Sequence, residues 1–266
     1  MNIREEITVL FSDCGHIGRA SDPTEVNLHG LRNLQQLTLC DGWDRHLKFL
    51  NLTATPVKNI HIMAPSRRLP HLCLAPAFIC TLTHLSLTTD SVDSVSPFEI
   101  ALKFGVNIRS LRIRCSLKSA NSHFFRLYAD ALPCITEFGI YLTTPFVRGL
   151  LWDDADFFPA VCDFLRHREA QLVHMEIRPD SRSDQNELGF DGGKVCWDMF
   201  KQSTPRRPTK SPLFSKLESL SMPMPAGRKN FALHYSHLIP KGVTRLSLSG
   251  EQINNRQCPK LFTQVS

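Results

Sequence analysis

The feature that most constrains this fold is an internal repeat of the pattern Leu-x-x-Leu-x-Leu, in which other aliphatic residues or Phe can replace Leu. Eight segments carry the pattern, and their final members are separated by 23, 25, 26, 27, 37, 45 and 26 residues. The segments are Leu34-Leu37-Leu39, Val57-Ile60-Ile62, Leu82-Leu85-Leu87, Ile108-Leu111-Ile113, Ile135-Phe138-Ile140, Leu172-Met175-Ile177, Leu217-Leu220-Met222 and Val243-Leu246-Leu248. Five of the seven intervals lie within or close to a period of roughly 20 to 29 residues, which is typical of repeated supersecondary units.

The residues between the aliphatic positions distinguish this pattern from chance. In seven of the eight segments all three intervening residues are non-hydrophobic, and Val173 is the exception. A chain of this length is expected to contain roughly two such segments by chance. Two further matches, Leu47-Leu50-Leu52 and Leu69-Leu72-Leu74, do not fit the spacing. The regular spacing and the polar spacers therefore indicate a repeat.

Each segment predicts a short β-strand, because its last two aliphatic residues alternate with polar residues and can turn to one side of a sheet. One unit cannot bury that side alone. Stacking the strands as a parallel sheet closes a core, and each strand then needs a crossover to return the chain. The sequence predicts an α/β fold with the parallel sheet on one side and helices or irregular crossovers on the other.

The clearest crossover helix is predicted to begin at Pro97, where Ser96 can cap the helix and Glu99 can complete a capping box. Gly105 is predicted to end it in a left-handed conformation. Similar helical patterns occur at residues 157–165, 195–200 and 231–238.

Five of the motifs resemble irregular leucine-rich-repeat proteins of the fungal F-box type. The motifs are LHGLRNLQQLTL, LTHLSL, IRSLRIRC, LESLSM and VTRLSLSG. The resemblance implies one irregular leucine-rich-repeat solenoid over residues 1–266, with recognisable repeats at about 28–250 and a polar loop insert at about 202–212. The turn positions lack the Asn or Cys of regular repeats, and no F-box is recognisable in residues 1–30.

Repeat proteins commonly bind partners on the concave sheet surface, so the alternation also predicts which side chains face a partner. The middle of that surface is expected to group Arg112, Arg114, Tyr141, His174 and Arg178. Arginines form forked hydrogen bonds with carboxylates and phosphates, and Tyr can anchor an interface. The expected ligand is an acidic or phosphorylated segment of another protein. In the competing interpretation, Glu137 and Glu176 pair with these arginines on a solvated sheet face.

Two functional classes are open at this point. One is the substrate-recognition part of an F-box-type ubiquitin ligase, which would meet the ligase adaptor only if an F-box lies outside this chain. The other is a freestanding repeat scaffold. A net charge of +6 permits nucleic-acid binding as a third alternative, although the basic residues are spread along the sequence.

The sequence favours an intracellular protein, cytoplasmic or nuclear, with no membrane partner. Nine scattered cysteines contain no Cys-x-x-Cys pair and are expected to be reduced thiols. The N-terminal residues lack the apolar stretch of a signal peptide, and no segment approaches the roughly 18 apolar residues of a membrane helix.

Catalytic motifs are missing from the sequence, so no enzymatic activity, cofactor or metal is expected. There is no G-x-S-x-G elbow and no H-E-x-x-H, and Gly192-Gly193-Lys194 lacks the remainder of a phosphate-binding loop. Two alternatives are weaker. Asp153, Asp154 and Asp156 can ligate a cation or favour a helix start. Cys14 with His16, or His71 with Cys73, places two zinc-type ligands close together without a second pair.

Overall fold

The fold is described from a computed structural model of the chain. It describes residues 5–10, 24–27, 34–40, 47–50, 57–64, 76–89, 97–116, 122–143, 156–179, 196–197, 200, 214–223 and 238–249. The chain divides into two compact units. Unit 1 comprises Met1–Ala120 and Asp130–Ile135, and unit 2 comprises Asn121–Ala129 and Thr136–Ser266.

Unit 1 contains seven of the described strands. They are β1 (Glu5–Leu10), β2 (Thr24–Asn27), β3 (Leu34–Cys40), β4 (Leu47–Leu50), β5 (Asn59–Ala64), β6 (His84–Thr89) and β7 (Ser110–Ser116). Five of them form a parallel sheet in the order β1-β3-β5-β6-β7, while β2 and β4 pair in a separate parallel sheet.

Unit 2 contains the other four described strands. They are β8 (Glu137–Thr143), β9 (His174–Pro179), β10 (Ser219–Pro223) and β11 (Arg245–Ser249). They pair in chain order, and each pairing is parallel. The predicted α/β class with parallel strands is therefore confirmed.

Four helices lie in the crossover residues that the structure describes. They are α1 (Pro76–Ile79), α2 (Pro97–Phe104), α3 (Ser122–Leu127) and α4 (Phe157–Arg166). Helices α2 and α4 begin where the sequence predicted, whereas α1 and α3, which are short, were not predicted. Cys196 and Trp197 are helical, as expected for residues 195–200. Most of the predicted helix at 231–238 and the whole loop at 202–212 lie outside the described residues.

The strand register coincides with the alignment of the sequence repeats. In unit 1 the central aliphatic residues Leu37, Ile60, Leu85 and Leu111 are successive cross-strand partners. In unit 2 the same holds for Phe138, Met175, Leu220 and Leu246. Since a register slip of one residue would turn every side chain to the opposite face, this agreement fixes which face each residue occupies.

A ladder of backbone hydrogen bonds also recurs just before β5, β6, β7, β9, β10 and β11. The bond joins the residues that directly follow the first aliphatic position of two successive segments. The N–H of this residue in the later segment donates to the carbonyl of its counterpart in the earlier segment, at N···O distances between 2.8 and 3.0 Å. The accepting carbonyls belong to Gln35, Lys58 and Thr83 in unit 1, and to Thr136, Val173 and Glu218 in unit 2. Successive segments are therefore joined in the same way inside each unit, which satisfies backbone groups that would otherwise be left without partners.

A tight turn leads into most of these segments. The first aliphatic residue donates its N–H to the carbonyl three residues earlier, as Ile135 does to Leu132 at 3.1 Å and Leu217 does to Phe214 at 3.0 Å. Leu132 and Phe214 both have a φ of 54°, which is uncommon for bulky residues. The same backbone device thus occurs in both units.

The aliphatic residues of the repeat form the core. All eight first positions are at most 3% exposed, and the described second and third positions are nearly all buried as well. The exceptions are Leu246 and Leu248 on β11, which are only half-buried. Burial of the aliphatic side chains provides the main driving force for stacking the strands.

Strand β1 was missed by the sequence pattern for a definable reason. Its residues Ile7 and Val9 pair with Leu37 and Leu39, so they occupy the second and third aliphatic positions of a unit. The first position, three residues before Ile7, is Arg4, which the pattern excludes. Strand β4 includes Leu47 and Leu50, a match set aside because it breaks the spacing, and it belongs to the separate two-stranded sheet.

One detailed expectation was wrong. Gly105 follows α2, but its φ lies outside the left-handed region. A Cβ at this position would lie 2.5 Å from the Ala101 carbonyl oxygen and 2.5 Å from Ile108 Cδ1. Glycine fits here because the neighbouring atoms leave no room for a side chain. Burial is not limited to the aliphatic residues, since Ser110 and Ser221 are each only 6% exposed.

Candidate functional site

The polar face of unit 1 consists of the side chains that alternate with the buried aliphatic residues on β3, β5, β6 and β7. The cross-strand register places Thr38, His61, Ser86 and Arg112 in one row. The next row contains Thr88 beside Arg114. Both arginines are exposed, and His61, Ser86 and Thr88 are half-buried. We call these six residues the unit 1 polar face.

The unit 1 polar face is cationic. The outward positions of β3, β5, β6 and β7 contain no Asp or Glu in the sequence. The pKa of His61 is lowered, first because burial disfavours the imidazolium ion and second because the Arg112 charge repels it. His61 is therefore mostly neutral at pH 7, and the face takes its positive charge from the arginines.

The polar face of unit 2 contains a carboxylate that contacts an arginine and a tyrosine. The Glu176 carboxylate lies 2.6 Å from Arg178 Nε and accepts a short hydrogen bond from the Tyr141 hydroxyl. Arg178 Nε also donates to Ser221 Oγ at 2.9 Å. Residues of β8, β9 and β10 are thereby tied together. This arrangement matches the competing interpretation for Glu176, in which the carboxylate offsets the arginine charge.

The five residues predicted from the sequence fall into two sets. Arg112 and Arg114 lie two residues apart on β7 in unit 1. Tyr141 and Arg178 lie in unit 2, where Glu176 contacts both of them. His174 is half-buried on β9, in register with Glu137 and Ser219. The sequence did not predict Ser86, Thr88 and His61 as site residues. The strand register places Ser86 beside Arg112 and Thr88 beside Arg114, with His61 next to Ser86.

A second charged cluster joins α3 to α4 in unit 2. The Arg126 guanidinium binds both carboxylate oxygens of Asp156, at 2.9 and 3.1 Å, and one oxygen of Asp163 at 2.5 Å. This contact lowers the pKa of Asp156, mainly through the hydrogen bonds from Arg126. Asp156 stands at the N-cap of α4, but its side chain makes no capping hydrogen bond and binds Arg126 instead.

Aromatic packing supports this helix pair. The Phe125 ring of α3 lies edge-on to Phe157 and Phe164 of α4, with centroid distances of 5.9 and 5.4 Å. Phe164 also packs on Phe138 of β8 at 6.0 Å, which connects the helix pair to the strands. The Arg126 cluster therefore lies beside packed aromatic rings that join α3, α4 and β8.

Metal-ligand groups do not converge in the part of the chain that the structure describes. No group of three or more His, Cys, Asp or Glu residues there could hold a metal ion. Asp153, Asp154, Cys14, His16, His71 and Cys73 lie outside the described residues. The four cysteines that can be assessed, Cys80, Cys134, Cys162 and Cys196, form no disulfide.

Comparison with known proteins does not assign a family. No protein-family model matches the chain, and no curated protein matches it either. No helix among the described residues has the length and apolar character needed to cross a membrane.

Proposed function

We propose that this chain is an irregular leucine-rich-repeat solenoid that binds another protein through the polar faces of its strands. The fold proposal is supported by the coincidence of sequence repeat, strand register and backbone ladder within each unit. Repeat architectures of this type bury one strand face and present the other as an extended binding surface.

The unit 1 polar face carries the functional proposal. Arg112 and Arg114 are two exposed cationic residues on one strand of this face. An arrangement of this kind attracts an acidic group and can form directional hydrogen bonds with it.

In this proposal the protein is a recognition module and not an enzyme, and it needs no cofactor. It serves either as the substrate-recognition part of an F-box-type ubiquitin ligase or as a freestanding scaffold. The ligase alternative draws on the resemblance of the repeat motifs and requires an F-box outside this chain. Nucleic-acid binding is the third alternative, and strong weakening by salt on unrelated sequences would favour it.

Affinity capture from a cell lysate tests the proposal. We would compare the wild-type chain with the double variant Arg112→Glu/Arg114→Glu. The matched control is Lys58→Glu/Lys103→Glu, which makes the same charge change at exposed positions of unit 1 that are not outward strand positions. Mass spectrometry would quantify the proteins recovered with each.

We expect specific proteins to be recovered with the wild type and the control, and to be lost at least tenfold with the arginine variant. Equal recovery with both variants would overturn the role of the unit 1 polar face. Recovery of a ligase adaptor or cullin would select the ligase alternative, and partners without them would select the scaffold.

A further inference from the structure

We propose that the chain forms a weak symmetric dimer in which β11 pairs antiparallel with β11 of a second copy. The interaction surface is the edge of β11 that faces away from β10 in unit 2. This inference goes beyond the proposed partner binding, because it involves neither Arg112 nor Arg114 and requires no other protein.

The backbone of β11 shows which groups point to that edge. Arg245 donates its N–H to the Glu218 carbonyl at 3.0 Å, so its backbone faces β10. Successive residues of a strand direct their N–H and C=O groups to opposite sides, so Ser247 also faces β10 whereas Leu246 and Leu248 face away. Within the part of the chain that the structure describes, β11 pairs with β10 alone. The two leucines therefore present two donors and two acceptors to a further strand.

The core side of β11 is also incompletely covered. Leu246 and Leu248 are half-buried, whereas Leu220 and Met222, their cross-strand partners on β10, are fully buried. A strand added beside β11 would remove apolar surface of both leucines from water. Burial of that surface favours the addition.

Strand β11 lacks the features by which edge strands commonly prevent pairing, which are a Pro, a Lys, an inward-pointing charge or a bulge. Its register with β10 runs from Arg245 to Ser249 without a shift, and its sequence contains no Pro, Lys or acidic residue. Arg245 is its one charged residue and stands at the first position. The residues at 246–248 therefore do not oppose a second strand.

The occupant that fits this edge is a second β11, because the strand is self-complementary about Ser247. When Ser247 lies opposite the second copy's Ser247, each Leu246 lies opposite a Leu248. Opposite residues of an antiparallel pair exchange both N–H···O=C bonds at alternate positions. The two leucine pairs thus form four main-chain hydrogen bonds, with all four side chains on the core side. A register displaced by two residues would keep only one leucine pair within residues 246–248.

The same register keeps like charges apart. Arg245 lies opposite residue 249 of the second copy, which is an uncharged serine. The two Arg245 residues are then separated by about 14 Å along the strands. This distance exceeds the Debye length of about 8 Å at physiological ionic strength, so their repulsion is largely screened. Ser247 is exposed and meets its own counterpart across the two-fold axis, so substitution at this position tests the register.

Sedimentation velocity of the full chain at increasing concentration measures the association. The paired surface is small, so we expect a weak and reversible monomer–dimer equilibrium. Ser247→Lys and Ser247→Glu should each weaken dimerisation about fivefold, because like charges then face each other directly. An equimolar mixture of the two variants should dimerise at least as tightly as the wild type, since opposite charges then meet. Ser247→Thr and Arg112→Glu/Arg114→Glu should dimerise as the wild type does, which keeps this inference separable from partner binding.

Four results would overturn the inference. The first is a wild-type chain that stays monomeric at the highest concentration reached. The second is unchanged dimerisation of Ser247→Lys and Ser247→Glu alone. The third is a mixture of these variants that associates no better than either one. The fourth is growth beyond the dimer, which would mean a head-to-tail contact between two different edges.

Hydrogen exchange of the backbone amides locates the contact in the wild-type chain. We expect the amides of Leu246 and Leu248 to exchange about tenfold more slowly in concentrated than in dilute solution, because pairing gives both an acceptor. The amides of Arg245 and Ser247, which already face β10, are the internal control and should change less. No change, or an equal change at all four amides, would contradict antiparallel pairing through this edge.

Discussion

At the scale of single residues, Arg126 bridges two carboxylates, that of Asp156 at the N-cap of α4 and that of Asp163 within the helix. The side chains of Arg126, Asp156 and Asp163 are 44%, 52% and 45% exposed, so solvent screens much of their attraction. The bidentate contact and the shared arginine still stabilise the fold, since a network of charges contributes more free energy than an isolated surface pair.

We expect Arg126→Gln to lower the free energy of unfolding by about 1 kcal/mol at pH 7 and low salt. The effect should depend on pH in a definite direction. The pKa of Asp156 is lowered in the folded chain, so the stabilisation is present above the unfolded value near pH 4 and is lost as the pH falls through the folded value. Urea unfolding of wild type and variant between pH 7 and pH 3 measures this.

Arg166→Gln is the matched control, because Arg166 lies 3.8 Å from Asp163 and makes only a weak ion pair with it. It should cost less than Arg126→Gln. A difference between wild type and Arg126→Gln that stays constant down to pH 3 would contradict the electrostatic explanation.

At the scale of elements, each strand depends on burying the aliphatic residues of its segment. Leu220 and Leu246 occupy equivalent positions and are cross-strand partners on β10 and β11. Leu220 is fully buried, whereas Leu246 is half-buried. The two residues therefore form a natural pair for measuring what burial contributes at one repeat position.

We expect Leu220→Ala to lower the free energy of unfolding by about 3 kcal/mol, because it removes buried methyl groups and leaves a cavity. Leu246→Ala should cost about 1 kcal/mol, since part of its side chain already faces solvent. Chemical denaturation of both variants, with the slope of each transition compared, provides the measurement. Equal losses of unfolding free energy in the two variants would contradict the expectation that the more buried leucine contributes more to stability.

The same elements show how far the sequence predicts the fold. The eight first positions, from Leu34 to Val243, were identified from spacing alone, and all of them are buried. Spacing succeeds here because the period of the repeat and the alternation within a strand are both local properties. It failed for β1, where Arg4 stands at the first position, and at Gly105, where the reason for glycine is contact with Ile108.

The candidate site was less predictable than the fold. Arg112 and Arg114 stand out in the sequence, but the neighbours that define their surroundings come from strands about 25 to 50 residues earlier. The contact between Arg126 and Asp156 spans 30 residues of sequence and follows no repeat. Such contacts depend on how the crossover segments pack against each other, and a local sequence pattern carries no information about that packing.

At the scale of the whole molecule, the central claim is that repeated units present polar strand faces to a protein partner. The position of a bound partner tests this claim most directly. His84 is an exposed outward residue of β6, beside the unit 1 polar face, and Ala77 is an exposed residue of the crossover helix α1 in the same unit. A photo-cross-linking amino acid can be placed at either position.

The measurement is the yield of cross-linked partner after illumination of the two labelled chains in cell lysate, with Arg112→Glu/Arg114→Glu added to each as a second comparison. The account predicts a specific adduct from position 84, its loss in the arginine variant, and little adduct from position 77. An adduct formed equally from both positions, or only from position 77, would contradict binding through the strand face.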